Sequence, residues 1–131
     1  VLGFDFGLKY IGIAVGQTLT KTAEPLTSIK ATDGIPEWEE IKALIDKWQP
    51  QRLVVGLPYA LDGAMQPMTF KAKKFGNRLH DKYKLPVVFI DQTLTTWEAK
   101  QQIQPNTTNK DELIKLNGLA AQIILTAWFN S

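Results

Sequence analysis

The chain has 131 residues, of which 44% are hydrophobic, and a formal net charge of +2 with a pI near 8.8. This length allows one domain, residues 1–131, with a hydrophobic core of its own. Without cysteine, the chain can form neither a disulfide nor a thiolate metal site. No apolar run approaches the roughly 20 residues that span a bilayer, and the opening residues resemble a strand rather than a basic leader. We therefore expect a cytoplasmic protein that does not bind a membrane.

Two runs of β-branched and aromatic residues open the chain, on either side of Gly7-Leu8-Lys9. Their composition and spacing predict a hairpin in a buried sheet. Asp5 lies inside the first run, where a carboxylate is costly unless it is paired or bound to a cation. Asp5 therefore either accepts hydrogen bonds from the turn at residues 7–9 or handles a metal or a phosphate. In the second case, the nearby glycines would clear space for a ligand.

The rest of the chain alternates between strand and helix patterns. We predict a third strand at 20–30, bent at Pro25, and strands at 52–57 and 87–90. Helices are predicted from Pro36 to the residues before Pro50, at 68–83, from a capping box at Thr95 and Glu98, and at 111–129 after a polar loop. Three strands in a meander, followed by two that alternate with helices, indicate an α/β fold. The expected architecture is a mixed five-stranded sheet with helices on both faces.

Ligands in α/β proteins collect at the ends of strands, and polar residues lie on or after two of the predicted strands. Asp5 lies on the first strand, and Asp91 and Gln92 come just after the last. The final helix adds Asn117, which falls within the apolar stripe of that helix and is therefore expected to point inward. Asn117 is either a satisfied core amide or a ligand.

The helix at 68–83 carries a row of cations at steps of three, four and four residues: Lys71, Lys74, Arg78 and Lys82. Such a row lies on one narrow face of a helix, where it can follow a phosphate backbone. An ordinary solvated helix face is the alternative interpretation.

The opening motif, Phe4-Asp5-Phe6-Gly7 through Ala14-Val15-Gly16, resembles that of the YqgF family, whose members are described as Holliday junction resolvases or pre-16S ribosomal RNA nucleases. Val54-Val55-Gly56-Leu57-Pro58 with Asp62-Gly63, Lys71-Ala72-Lys73-Lys74-Phe75, and Asp91-Gln92-Thr93 through Ala99 are similar to its later motifs. The resemblance covers nearly the whole chain, in order. It implies a ribonuclease H-like fold and metal-dependent phosphodiester cleavage by three clustered carboxylates.

Position by position, the resemblance makes Asp5 the first catalytic carboxylate and the ligand of Mg²⁺ or Mn²⁺. Gln92 stands where the family has a Glu, and Asn117 is aligned with the family's third carboxylate, an Asp. Because Mg²⁺ prefers anionic oxygen ligands, two neutral amides imply a weak metal site. The possible replacements for the missing carboxylates are Asp91, Asp111 and Glu112.

Three functions are compatible with these residues. The first is a nuclease acting on structured RNA or branched DNA, with the backbone held by Lys9, Lys71, Lys74, Arg78 and Lys82. The second is a nucleic-acid-binding factor of the same fold that is weakened or inactive in hydrolysis. The third is a nucleotide-binding fragment, because Asp-x-Gly beside a glycine hairpin also resembles the phosphate loops of sugar kinases. Those proteins need two lobes, however, and this chain has room for one.

Overall fold

The computed structural model describes residues 1–59, 62–91 and 110–131, with side chains in the last range described from residue 116 onward. The strands are β1 (Leu2–Asp5), β2 (Tyr10–Gln17), β3 (Thr22–Thr32), β4 (Ile35–Pro36), β5 (Leu53–Leu57) and β6 (Val87–Asp91). The helices are α1 (Trp38–Trp48), α2 (Pro67–Tyr83) and α3 (Lys110–Phe129). The helix predicted to start at Thr95 and most of the polar loop predicted after it lie outside the described residues.

Within the described residues the strands form one mixed sheet in the order β4-β3-β2-β1-β5-β6. β1 to β4 form an antiparallel meander, while β5 and β6 run parallel to β1. The predicted mixed α/β architecture is confirmed. The bend predicted at Pro25 is also present, because Ile13 pairs with Thr27 but Ala14 pairs with Pro25, which leaves one extra residue on β3 as a bulge.

The sheet has six strands where five were expected, and the additional one is β4. Asp33 and Gly34 both have positive φ, at 52° and 82°, which is the backbone of a tight two-residue hairpin turn. This turn returns the chain so that Ile35 and Pro36 pair with Thr32 and Ala31. The expectation that Pro36 starts a helix was therefore wrong, since an edge strand also tolerates proline and α1 begins at Trp38.

A separate apolar layer covers each face of the sheet. On the first face, α1 and α2 pack against the side chains of Leu2, Phe4, Ile11 and Leu53. On the second face, α3 packs through Ala121, Ile124 and Leu125 against Ala14 and Val54. The prediction of helices on both faces is confirmed.

Glycines let α3 lie directly on the strand backbones. A Cβ atom at Gly3 would collide with the Leu125 side chain, and one at Gly12 would collide with the backbone oxygen of Asn117. Among the described residues of α3, the buried apolar side chains are Leu116, Ala120, Ala121, Ile124 and Leu125. The buried face of α3 is wide because Gly3 and Gly12 beneath it have no side chains to hold the helix away from the sheet. None of the described helices is both long and apolar enough to span a bilayer.

Candidate active site at the carboxyl edge of the sheet

Asp5 is the last residue of β1, and its side chain is only 5% exposed. Because β1, β5 and β6 are parallel, their carboxyl ends meet at one edge of the sheet, which we call the carboxyl edge and define by Asp5, Leu57 and Asp91. Side chains alternate between the two faces of a strand. Asp5 therefore shares the face of Gly3, which is the face that α3 covers.

Asn117 approaches the same place from α3. Its Cβ lies 3.0 Å from where a Cβ of Gly12 would be, and Gly12 is the cross-strand partner of Asp5 on one side and of Ser28 on the other. The amide nitrogen of Asn117 donates a hydrogen bond to the Ser28 hydroxyl at 3.3 Å. Asp5 and Asn117 thus lie on the same face of the sheet. Asn117 lies over the backbone of Gly12, and Asp5 is about one strand spacing from Gly12, on the neighbouring strand.

Of the other candidate acidic and amide residues, only Asp91 has a described side chain. Gln92 lies outside the described residues, as do the side chains of Asp111 and Glu112. Asp91 is exposed and pairs with Leu57, so alternation assigns it to the first face, opposite Asp5. Across residues 1–59, 62–91 and 116–131, no three His, Cys, Asp or Glu side chains come together as metal ligands.

The described residues fit a divalent cation only in part. A hard cation such as Mg²⁺ takes oxygen ligands and gains most from anionic ones. Asp5 supplies one buried carboxylate at the carboxyl edge, and Asn117 supplies a neutral amide on the same face. This pair carries a single negative charge, which suits one weakly held ion better than a pair of ions.

The predicted basic row divides into two parts. Lys71, Lys74 and Arg78 line one side of a cleft of about 210 Å³, which we call the α2 cleft, with Phe6 and Trp38 among its other walls. Lys82 instead places its ammonium 4.9 Å from the centroid of the Trp38 ring, in a cation–π contact. The α2 cleft lies on the first face of the sheet, opposite the face of Asp5. Lys9 is exposed in the loop between β1 and β2.

Tyr83 fixes the backbone beneath this cation–π pair. Its hydroxyl donates a hydrogen bond of 2.9 Å to the carbonyl oxygen of Trp38. Partial burial raises the pKa of Tyr83 above the ordinary value of 10.0, and the carboxylates Glu39 and Asp46 raise it further. The phenol is therefore protonated at neutral pH, which keeps this hydrogen bond in place.

Two residues that bear on the site were missed by the sequence analysis. Ser28 gives no local signal, because its contact with Asn117 joins residues 89 positions apart. Phe70 does give a signal in the sequence, since it falls outside the apolar stripe formed by Ala72, Phe75 and Leu79. In the structure its side chain is 58% exposed. A helical-wheel analysis of α2 would have identified Phe70 as an aromatic residue without a core position.

Two solved structures share this mixed α/β fold, which is ribonuclease H-like. The structure of T. thermophilus RuvC in complex with a Holliday junction substrate superposes with a TM-score of 0.57 at 16% identity, covering 98% of this chain and 92% of that one. The yeast mitochondrial Holliday junction resolvase Ydc2 superposes with a TM-score of 0.53 at 12% identity, covering 98% and 76%. At these identities the likeness establishes the fold.

Sequence comparison identifies the family. The family model described as "RuvX: Holliday junction resolvase" matches residues 1–131. A protein of Aeromonas hydrophila named "Putative pre-16S rRNA nuclease" is 48% identical over 129 residues, covering 98% of this chain and 92% of its own length. A protein of the same name from Haemophilus ducreyi is 47% identical over 135 residues, covering 100% and 96%. The chain belongs to the RuvX (YqgF) family, so the predicted resemblance is confirmed.

Membership places the protein in a class of enzymes, the nucleases, which hydrolyse phosphodiester bonds. Nucleic acid is the general substrate of this class, and the family indicates dependence on divalent metal ions in general terms.

Proposed function

We propose that this protein is a metal-dependent nuclease that cuts structured nucleic acid in the cytoplasm. Its substrate is the 5′ region of pre-16S ribosomal RNA, as the names of its relatives suggest, or a branched DNA. The observation that carries the proposal is Asp5, a buried carboxylate at the carboxyl edge of the central strands, beneath a helix that brings Asn117 to the same face.

In this proposal Asp5 is the principal ligand of Mg²⁺ or Mn²⁺, and Gln92 and Asn117 are auxiliary oxygen donors. A divalent ion held there would stabilise the negative charge that develops on the phosphoryl oxygens and would lower the pKa of a water molecule bound to it. Asn117 is held in place by Ser28, so its amide has one preferred orientation in the site. The packing of α3 on Gly3 and Gly12 keeps bulk water from the inner side of Asp5.

The proposed contacts to the nucleic-acid backbone are Lys9, Lys71, Lys74, Arg78 and Lys82. Lys71 and Lys74 are exposed, Arg78 is half-buried, and all three line the α2 cleft. Lysine and arginine that neutralise phosphates release counterions, so binding through these residues weakens as salt rises. Lys82 must leave the Trp38 ring before it can contribute.

A second candidate function is a nucleic-acid-binding factor of the same fold with weak or absent hydrolysis. This function is favoured by Asn117, which is neutral and whose side-chain nitrogen is hydrogen-bonded to Ser28. Two unit charges 4 Å apart interact by roughly 4 kcal/mol at an effective dielectric constant of about 20. Losing even a third of that attraction for each missing carboxylate weakens cation binding about tenfold.

The test is cleavage of a pre-16S RNA fragment and of a four-way DNA junction across a series of Mn²⁺ concentrations. We expect Asp5→Ala to reduce cleavage to background, while Asp81→Ala, which removes an exposed acid on α2, leaves it unchanged. Cleavage that survives Asp5→Ala would overturn the assignment of the site. Tight binding of both substrates without cleavage by the native protein would establish the second function instead.

A further inference from the structure

The α2 cleft has the charge of an anion site. Lys71, Lys74 and Arg78 contribute three positive charges to its walls, and Asp33 contributes one negative charge. The cleft also has apolar walls, including Phe6 and Trp38. A ligand that carries phosphates on an apolar framework matches both properties, and a nucleic-acid strand is such a ligand.

The aromatic rings that line the cleft already pack against one another. Trp38 stacks on Phe75 with ring centroids 6.0 Å apart, and Phe6 contacts Phe75 at 5.3 Å. The ammonium of Lys82 takes a further position over the Trp38 ring. A nucleobase therefore finds no free ring within the cleft.

Phe70 offers the free aromatic ring that the cleft lacks. It lies on α2 immediately before Lys71 and one turn before Lys73 and Lys74, whose Cβ atoms are about 5–6 Å away at this spacing. More than half of its side chain is exposed. Proteins that bind single strands combine a positive groove with aromatic rings on which the bases stack.

The cleft and the candidate active site face opposite sides of the sheet. Phe6, in the wall of the cleft, directly follows Asp5 in the chain, yet Phe6 packs in the core beneath α2 whereas Asp5 lies on the face of α3. A strand that reaches both must bend around the carboxyl edge. Bending a duplex sharply costs deformation energy because its persistence length is roughly 150 base pairs, so an unpaired strand makes this turn more easily than a continuous duplex.

From these observations we infer that α2 binds an unpaired strand of the substrate, with a base stacked on Phe70 and phosphates in the cleft. This inference rests on the proposed nuclease function, which gives the reason for binding the strand. It assigns the substrate class: a nucleic acid with an unpaired segment next to the bond that is cut. Paired bases stack on each other within a duplex and present no face to Phe70.

The experiment measures binding alone, in a metal chelator, by fluorescence anisotropy. The probes are a labelled oligouridine and a blunt RNA duplex with the same number of phosphates. Stacking on an aromatic side chain contributes about 1–3 kcal/mol per base, so we expect Phe70→Ala to weaken oligouridine binding about fivefold or more. Duplex binding is expected to change less than about twofold, and Phe70→Trp to retain binding to oligouridine.

Leu19→Ala is the matched control, because Leu19 is an exposed apolar residue in the turn between β2 and β3 rather than on α2, and it should leave both affinities unchanged. Equal loss on both probes, or no loss on oligouridine, would overturn the inference. The nuclease proposal would remain intact in that case, because it is tested by cleavage with Asp5→Ala. Conversely, selective loss in Phe70→Ala by a protein that cleaves nothing would support the strand site and refute the nuclease.

Discussion

Asp5 and Asn117 come to one face of the sheet from opposite ends of the chain. Gly12 makes this possible, because any side chain at that position would collide with the backbone oxygen of Asn117. The Ser28 hydroxyl then accepts a hydrogen bond from the side-chain amide of Asn117. The local chemistry of the site therefore depends on a glycine and a serine that have no catalytic character of their own.

At the residue scale, restoring charge is the direct test of the weak-site hypothesis. We expect Gln92→Glu combined with Asn117→Asp to raise cleavage, since the three family positions would then carry three carboxylates, the charge that a pair of cations needs. Both substitutions preserve side-chain size, and the Ser28 hydroxyl can donate to a carboxylate. Cleavage of precursor RNA and branched DNA is compared between native protein and double variant across Mn²⁺ concentrations.

Stability provides a second measurement on the same variant. Clustered carboxylates repel each other without a cation, so the double variant should unfold more easily than the native protein in chelator and recover with Mn²⁺. Robust native cleavage that ignores both restorations but is abolished by Asp5→Ala would show that other ligands complete the site.

Tyr83 predicts how stability changes at alkaline pH. Its pKa is raised in the folded protein, so the native state holds the phenol proton more tightly than the unfolded chain does. The resulting stabilisation is complete below the unfolded pKa of about 10 and is lost as the pH rises through the folded pKa. We expect Tyr83→Phe to remove this part of the alkaline decline, and to lower stability at neutral pH by about 1 kcal/mol through loss of the hydrogen bond to Trp38.

Urea unfolding of native protein and Tyr83→Phe, from neutral pH to above the unfolded pKa, measures both effects. Tyr59→Phe is the matched control, because Tyr59 is another partly buried tyrosine that packs against the same apolar layer. An identical alkaline slope in native protein and Tyr83→Phe would contradict the prediction.

At the scale of elements, α2 presents three surfaces with different tasks. Ala72, Phe75 and Leu79 are buried against the sheet. Lys71, Lys74 and Arg78 line the cleft, and Phe70 is exposed and is not among the residues that line it. One helix therefore both contributes to the core and carries most of the proposed contacts to nucleic acid.

The cleft lysines should control the salt dependence of binding. We expect Lys74→Ala to weaken binding to a structured RNA and to reduce the slope of log affinity against log salt by about one unit, because one phosphate contact is lost. Lys42→Ala on α1 is the matched control, since Lys42 is equally exposed but does not line the cleft. Unchanged affinity and slope after alanine replaces Lys71, Lys74, Arg78 and Lys82 together would refute the role of this row.

At the scale of the whole molecule, the order of the described elements other than β4 was predictable because apolar spacing marks those strands and helices in the sequence. The short strand β4 was not, since two residues carry no periodicity and Pro36 suits a helix start as well as a sheet edge. The separation of Asp5 from the α2 cleft was also beyond sequence reasoning. It depends on which face each residue of β1 meets and on which helix covers that face, and both are set by long-range packing.

The sheet and α3 also fix the order in which the protein can be completed during synthesis. α3 packs on β1, β2 and β3, but about 80 residues separate the end of β3 from the start of α3. At roughly 5–20 residues per second, a ribosome needs about 4–16 s to make that intervening chain. Throughout this interval Ala14 and the glycine backbones of the first hairpin lack their cover. Asp5 and Asn117 can therefore share one covered face of the sheet only after α3 has been made.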